Sequence, residues 1–508
     1  MASRRDELNA YTFAKRRLVA QFLQPNATGS EEGAPRPLRA VVPGAIIGVV
    51  ILAGFGAWGM FKPVAPKGWD KPGENVIVAS KSTTRYVVLE TDGKKQLHPV
   101  LNMASAKLLL NLDRGKVINV SESVLDSGKI PHGVTVGIPY APDRLPKAKD
   151  AGTAKRWAVC ERPGEGRQAT TQKAAFVLAD REKDKVDGEE RLTGGELLHV
   201  EAEGVEYVVD ASGTKYVLKP KDDLVRQLVV GQGHQAQKVS KEWLDTLHLG
   251  HEISIPELPG TPGADAGVPG LKDELDKVGM ILQATDGAKD RQYVVLEGRV
   301  APISDFMAKL LIDSEPLKDV VKDGRALKVS ASEFRAGEPF GDDRNWPLAA
   351  PVAVNDASAG EGKRNAVCSV LRDVDKDKGT TTLSTWAGTA FPADLPVGSS
   401  SAYVTPGSGL LFRQFKGEAT DVGLLFLVTD TGLRYAMQSN SDSAGAGGDS
   451  GAGSDEEKKK ELESQNQLSQ RQLGYKTVDP VPVPAAWTEF LPRGPRLSIG
   501  DANQPQGS

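Results

Sequence analysis

Histidine and cysteine are scarce in this chain: six and two among 508 residues. No His-Glu-x-x-His run is present, and the one close histidine pair, His248-x-x-His251, falls where a helix turns into a strand. It reads as a pair of surface or turn histidines, not as metal ligands. A nucleotide-binding loop of the Walker type is missing too. Gly93, Gly115, Gly128 and Gly362 precede lysines, but the next residues are Lys95, Val117, Ile130 and Arg364, never the serine or threonine that would hold the metal. There is no Gly-x-Ser-x-Gly elbow for a hydrolase serine. Among 67 acidic residues no catalytic carboxylate pair stands out. These absences lean against an enzyme and predict no metal and no cofactor.

Long apolar runs are absent with one exception. Residues 41–61, VVPGAIIGVVILAGFGAWGMF, carry no charge over 21 positions. About 20 apolar helical residues cross a hydrocarbon core of about 30 Å. Some forty residues precede the run, and bulky Trp58 and Phe61 close it, so an uncleaved anchor is expected instead of a signal peptide. Arg4, Arg5, Lys15, Arg16, Arg17, Arg36 and Arg39 lie before it, against Lys62, Lys67 and Lys71 just after. The positive-inside rule therefore expects a cytoplasmic N-terminus, a single pass and an extracytoplasmic remainder. Seven of the 63 basic and four of the 67 acidic residues precede the anchor, leaving 56 against 63 beyond it. An excess of seven negative charges argues against nucleic acid as a partner.

In an oxidising compartment a lone cysteine pair is normally joined, so a structural disulfide is expected between Cys160 and Cys368. They sit in near-identical settings, RWAVC (156–160) and RNAVC (364–368). The doubling extends further. Four hairpin patterns, RYVVLETDGKKQLHPV from Arg85, EYVVDASGTKYVLKP from Glu206, QYVVLEGRVAPIS from Gln292 and LLFLVTDTGLRYAM from Leu424, each turn at an X-Gly pair. A helix-like stretch follows each, then a second marker: VSESVLDSG, VSKEWLDTL, VSASEFRAG and VPAAWTEFL. Serine in the first three reads as a helix N-cap, with a capping box at Ser330-x-x-Glu333; Pro484 serves in the fourth. Gly93 to Gly298, Cys160 to Cys368 and Gly213 to Gly432 are 205, 208 and 219 residues apart. One interval recurring for unrelated markers indicates a duplication in which each half runs repeat, cysteine strand, repeat.

The expected class is α+β. A single N-terminal transmembrane helix precedes an extracytoplasmic region of four small α/β repeats around a central β-rich domain closed by the disulfide. The expected division begins with a basic helix and linker (1–40), the membrane helix (41–61), and a linker with the first repeat (62–146). The first segment of the central domain (147–200) and the second repeat (201–260) come next. A linker with the third repeat (261–351), the second segment of the central domain (352–415), the fourth repeat (416–499) and a tail (500–508) follow. The Gly/Ser/Asp tract 439–456 is expected to be a disordered insertion, since it cannot bury a core. Ahead of the anchor, Leu8, Tyr11, Leu18 and Phe22 form a helical stripe among Arg4, Arg5, Lys15, Arg16 and Arg17. Such a helix suits anionic lipid or the groove of a cytoplasmic partner.

Together the RRDELNAYTFAKRRLVAQFL helix, the single anchor, the RYVV…DG hairpins, the AVC pair, PGSGLLFR (406–413) and LVTDTGLRY resemble the EccB membrane component of type VII (ESX) secretion systems of actinobacteria. The resemblance covers nearly the whole chain. It implies a core subunit in the cytoplasmic membrane, partnered with an EccC-type motor ATPase, EccD and EccE, whose copies self-associate through the outer domain. It also implies that the basic helix contacts those subunits. The resemblance carries a suggestion of ATP hydrolysis, for which the sequence holds no motif. The alternative to a scaffold is an outer domain that hydrolyses ATP or binds cell-wall glycan.

Overall fold

The computed structural model describes residues 3–23, 37–61, 65–91, 93–164, 170–219, 223–287, 289–321, 323–357, 363–396, 401–437 and 467–506. The tract 439–456 lies outside the described residues. By internal contacts the chain forms two units, one of residues 1–68, 79–82 and 119–129, the other of the remainder.

The smaller unit contains two long helices. α1 (Arg4–Leu23) begins with Asp6 and Glu7 in its first turn, where carboxylates oppose the positive helix end. α2 (Pro37–Phe61) spans the uncharged run, and its window Val41–Trp58 is long and apolar enough to cross a membrane.

Five sheets follow along the chain, four of them wholly within the larger unit. The first repeat contributes β1 (Asn75–Ala79), β2 (Arg85–Thr91), β3 (Lys94–Val100) and β4 (Lys116–Val120) in the order β3-β2-β1-β4. The central strands β5 (Arg156–Arg162) and β6 (Gln172–Leu178) come next. The second repeat holds β7 (Glu196–Ala202), β8 (Val205–Asp210), β9 (Thr214–Val217), β10 (Gln237–Lys238) and β11 (His248–Leu249), ordered β10-β7-β8-β9-β11. The third holds β12 (Ile281–Asp286), β13 (Lys289–Leu296), β14 (Arg299–Ile303) and β15 (Leu327–Lys328), ordered β14-β13-β12-β15. β16 (Val352–Ala353) returns to pair with β7, and β17 (Ala366–Val374), β18 (Thr381–Gly388) and β19 (Ala402–Val404) complete the central sheet. The fourth repeat holds β20 (Gly409–Phe415), β21 (Leu424–Thr429), β22 (Arg434–Ala436) and β23 (Val481–Pro484), ordered β22-β21-β20-β23.

All four X-Gly hairpins form, and Gly93, Gly213, Gly298 and Gly432 take φ between 68° and 80°, which side chains with a Cβ resist. Each hairpin is preceded by a strand that its sequence pattern did not reveal: β1, β7, β12 and β20. In repeats two, three and four the strand before the marker returns parallel to that first strand. β7 and β20 begin before the boundaries expected at 201 and 416, because each lies in its repeat's sheet and not in the central one. Each marker opens a short helix, but Ser121 at the N-cap of Glu122–Leu125 makes no side-chain capping bond, unlike the other two serines. Ser240 Oγ accepts from the Trp243 amide, Ser330 forms the capping box with Glu333, and Pro484 precedes the helix Ala485–Thr488.

Burial orders the sheets. Alternate residues of a strand face opposite sides, so one strand can feed two cores. Leu198 and Val200 of β7 join the central cluster with Trp157 and Val159, while Leu197 faces a cluster with Ile281, Phe306 and Trp346 of the third repeat. Leu410 and Phe412 of β20 likewise face the central cluster, and Leu411 faces Val87, Val100 and Leu108 of the first repeat. The succession is therefore repeat one, four, centre, two, three. Residues 261–280 are no free linker, since Ala266, Val268, Leu271 and Val278 cover the open face of repeat three.

Candidate functional site: the disulfide-locked central sheet

The central sheet runs β18-β17-β5-β6-β19. β5 carries RWAVCER and β17 carries AVCSVLRDV, paired antiparallel with Cys160 directly opposite Cys368. The two cysteines form a disulfide, their Cα atoms 4.0 Å apart, as expected at a non-hydrogen-bonded antiparallel pair. Two copies of one strand that cross antiparallel at the same residue define a local two-fold axis through the bond. The order β18-β17-β5-β6 is symmetric about it, and so is the packing of repeat one on four and of three on two.

Both faces of this sheet are buried. Trp157 and Val159 point toward repeats two and four, and Trp157 meets Phe412 edge-on at 5.3 Å. Cys160 and Cys368 point the other way, among Phe176, Leu178, Val370 and Trp386. The disulfide is sealed in apolar surroundings.

The arginines of the twin pentapeptides hold the sheet to its surroundings. Arg156 donates from Nε to Asp187 (3.1 Å) and from Nη1 to the Arg372 carbonyl (2.9 Å). Arg372 donates to the other Asp187 oxygen at 2.6 Å. Burial opposes ionisation of Asp187, but the hydrogen bonds from Arg372 and Arg156 outweigh it and hold the carboxyl below its ordinary range. Arg364 donates to the Ala387 carbonyl, to Glu196 and to the Glu190 carbonyl. Each half thus uses the same arginine position to bind a different stretch of chain.

One residue in this sheet carries no mark in the sequence. Glu161, next to Cys160, is fully buried. Its carboxyl accepts from the Ser240 amide at 2.8 Å and from the Ser240 hydroxyl. Burial drives its pKa up against those hydrogen bonds and against Lys173, 3.9 Å away. Trp243, also buried, donates from Nε1 to the Val159 carbonyl at 3.0 Å. The second marker is therefore clamped to the cysteine strand by a carboxyl and an indole. In the other half Ser369 replaces Glu161, and Trp487 fills the position of Trp243 without leaving the core. The adjacency of Glu161 to the duplicated pentapeptide was the available signal, but one acid among 67 does not declare itself.

His248 and His251 line one cavity of about 860 Å³ together with Asp210 and Trp346. His248 Nε2 lies 2.8 Å from the Thr381 hydroxyl, an ordinary turn contact. In α1 the basic and apolar residues of the stripe all lie exposed, Phe22 at 90%. At 3.6 residues per turn Leu8, Tyr11, Leu18 and Phe22 fall within about 80° of arc. Arg4 and Lys15 fall in the same arc, so the stripe is mixed apolar and basic.

A family model described as type VII secretion system ESX-1, transport TM domain B (EccB), matches residues 1–507. The chain belongs to the EccB family. Among curated EccB relatives, the ESX-3 secretion system ATPase EccB3 of Mycolicibacterium smegmatis (strain ATCC 700084 / mc(2)155) is 26% identical over 98% of this chain and 90% of its own. The structure of the EccB3 dimer from the ESX-3 core complex superposes with a TM-score of 0.55 at 23% identity, covering 84% of this chain and 99% of that one. A chain of the intact ESX-5 inner membrane complex gives 0.55 at 20% identity, over 100% and 96%. At these identities the structural likeness establishes the fold. In this chain that fold is the five-sheet arrangement closed by Cys160–Cys368.

Proposed function

We propose that the chain is a structural subunit of the core membrane complex of a type VII secretion system. α2 anchors it, the N-terminus is cytoplasmic, and the larger unit is extracytoplasmic and self-associates. The carrying observation is the family match over residues 1–507. The buried disulfide supports the assigned side, since such bonds persist in oxidising compartments. Exposed α1, with Arg4, Arg5, Leu8, Tyr11, Lys15, Arg16, Arg17, Leu18 and Phe22, is the docking element for an EccC-type motor ATPase, EccD and EccE, and also rests on membrane lipid. The solved relatives are named as a dimer and as members of inner membrane complexes, which favours self-association here.

The test is purification of the tagged full-length chain in mild detergent with mass spectrometry of what accompanies it. A stoichiometric complex containing an FtsK-type ATPase and a multi-spanning subunit supports the scaffold. The chain alone refutes it. A second reading follows from the word ATPase in the name of the relative. It requires ATP turnover by the purified chain that one point substitution abolishes; turnover that disappears on further purification dismisses it.

A further inference from the structure

His199 and His234 do not enter the scaffold reading, yet their geometry is specific. His199, on β7, is buried, with Nε2 2.9 Å from Glu206 Oε2 on β8 and Nδ1 3.2 Å from His234 Nδ1. Its backbone is held at both ends by Asn355, which accepts from the amide at 2.8 Å and donates to the carbonyl at 3.0 Å. The strand is thereby fixed, while burial and the Glu206 contact hold the ring. Glu206 accepts the Nε2 proton, which leaves the lone pair of the neutral ring on Nδ1, aimed at His234. This is the carboxylate–histidine arrangement that orients imidazole toward a metal. His234 is half-buried, near Asp356, Lys363 and the Asn355 backbone.

Two imidazole nitrogens 3.2 Å apart, each about 2.0–2.1 Å from one ion, subtend about 100° at it, close to the tetrahedral angle. A direct N–H···N bond at that length sits at the long end of the normal range. We propose that His199 and His234, through their Nδ1 atoms, form a site for a divalent transition-metal ion of the zinc or copper class, oriented by Glu206. No group of three or more His, Cys, Asp or Glu ligands forms among the described residues, so water completes the coordination on the open side of His234. Both rings bind in the neutral form. The ion ties the segment after the helix Asp223–Val230 to the second repeat's sheet.

The experiment uses the full-length chain in detergent with its tag removed, titrated with zinc and with copper(II) against a chromophoric chelator. One equivalent bound through imidazole nitrogen by X-ray absorption, with an unfolding temperature that rises with free metal, is expected. His234→Ala should weaken binding at least tenfold while unfolding at the wild-type temperature in chelator. Glu206→Gln, which leaves both nitrogens in place, should weaken it about 10- to 100-fold. Absence of stoichiometric binding by the wild type overturns the site and leaves a shared proton between the two rings. Unchanged binding by both variants also overturns it, placing the ion elsewhere, for example on His248 and His251.

Discussion

Breaking the Cys160–Cys368 bond should measurably loosen the larger unit without changing its fold. The bond closes a loop of 208 residues. In the chain-entropy model such a cross-link removes about 18 cal/mol/K from the unfolded state, or roughly 5 kcal/mol at 25 °C. The cysteines are buried in an apolar cluster, so alanines there add only the cost of two small voids, about 1 kcal/mol each. Unfolding entropy near 2.1 cal/mol/K per residue, over roughly 400 residues, gives about 0.8 kcal/mol/K. Cys160→Ala/Cys368→Ala should then lower the midpoint by about 6–9 °C if the unit unfolds as one. Reduced wild type should fall between the variant and the oxidised protein, because it loses the cross-link but keeps its sulfur atoms. Differential scanning calorimetry of the three forms, with thiol counting under denaturing conditions, decides the matter. Midpoints within 1 °C of each other would refute the claim that the bond acts by restraining the unfolded chain. Two free thiols in oxidised, denatured protein would refute the bond itself.

Glu161 gives a pH-dependent prediction. Its folded-state pKa is raised, so the stability it contributes is complete below the unfolded value near 4.3 and is lost as pH rises through the folded one. The stability difference between wild type and Glu161→Gln should therefore shrink, or change sign, from pH 4 to pH 8 in chemical denaturation; a constant difference would mean that Glu161 does not titrate in this range. Asp187 has the opposite sign, with a lowered pKa whose contribution is present above the unfolded value near 3.9 and lost in acid. Asp187→Asn should cost about 2 kcal/mol at neutral pH by weakening two charge-assisted bonds, and progressively less as the pH falls below the unfolded value. Trp243→Phe should cost about 1 kcal/mol beyond its lost area by removing the indole hydrogen bond to the Val159 carbonyl, and a neutral outcome in denaturant titration would contradict the indole clamp. Replacing Arg16 and Arg17 by Glu should release the other core subunits on pull-down while α2 still inserts in the membrane; unchanged recovery counts against docking through α1.

Local chemistry made much of this architecture legible. The X-Gly hairpins could be read because a tight turn of two to four residues takes positive φ at its glycine and the flanking strands alternate. The anchor could be read because no soluble helix needs 21 uncharged residues in a row. The disulfide followed from there being only two cysteines beyond the anchor. The first strand of each repeat was harder to see. NVIVA, ELLHVEA, ILQATD and GLLFRQF carry apolar residues on both faces, since β7 and β20 each feed two cores and β12 is covered by residues 261–280. Such runs lose the period-two pattern that marks a half-exposed strand.

The sequence by itself determined the anchor, the repeated hairpins, their interval and the identity of the two cysteine strands, because each depends on residues close together or on a count. Only the tertiary structure decided that repeat one lies on repeat four and repeat three on repeat two, about a two-fold axis through the disulfide. That choice rests on which buried faces fit one another across 84 residues of chain between Leu197 and Ile281 and 324 between Val87 and Leu411. The same reason hid Glu161, Asp187, His199 and His234. Each is an ordinary letter in its own segment, and its chemistry comes from a partner that folding brings to it: Ser240, Arg372, Glu206 and Asn355.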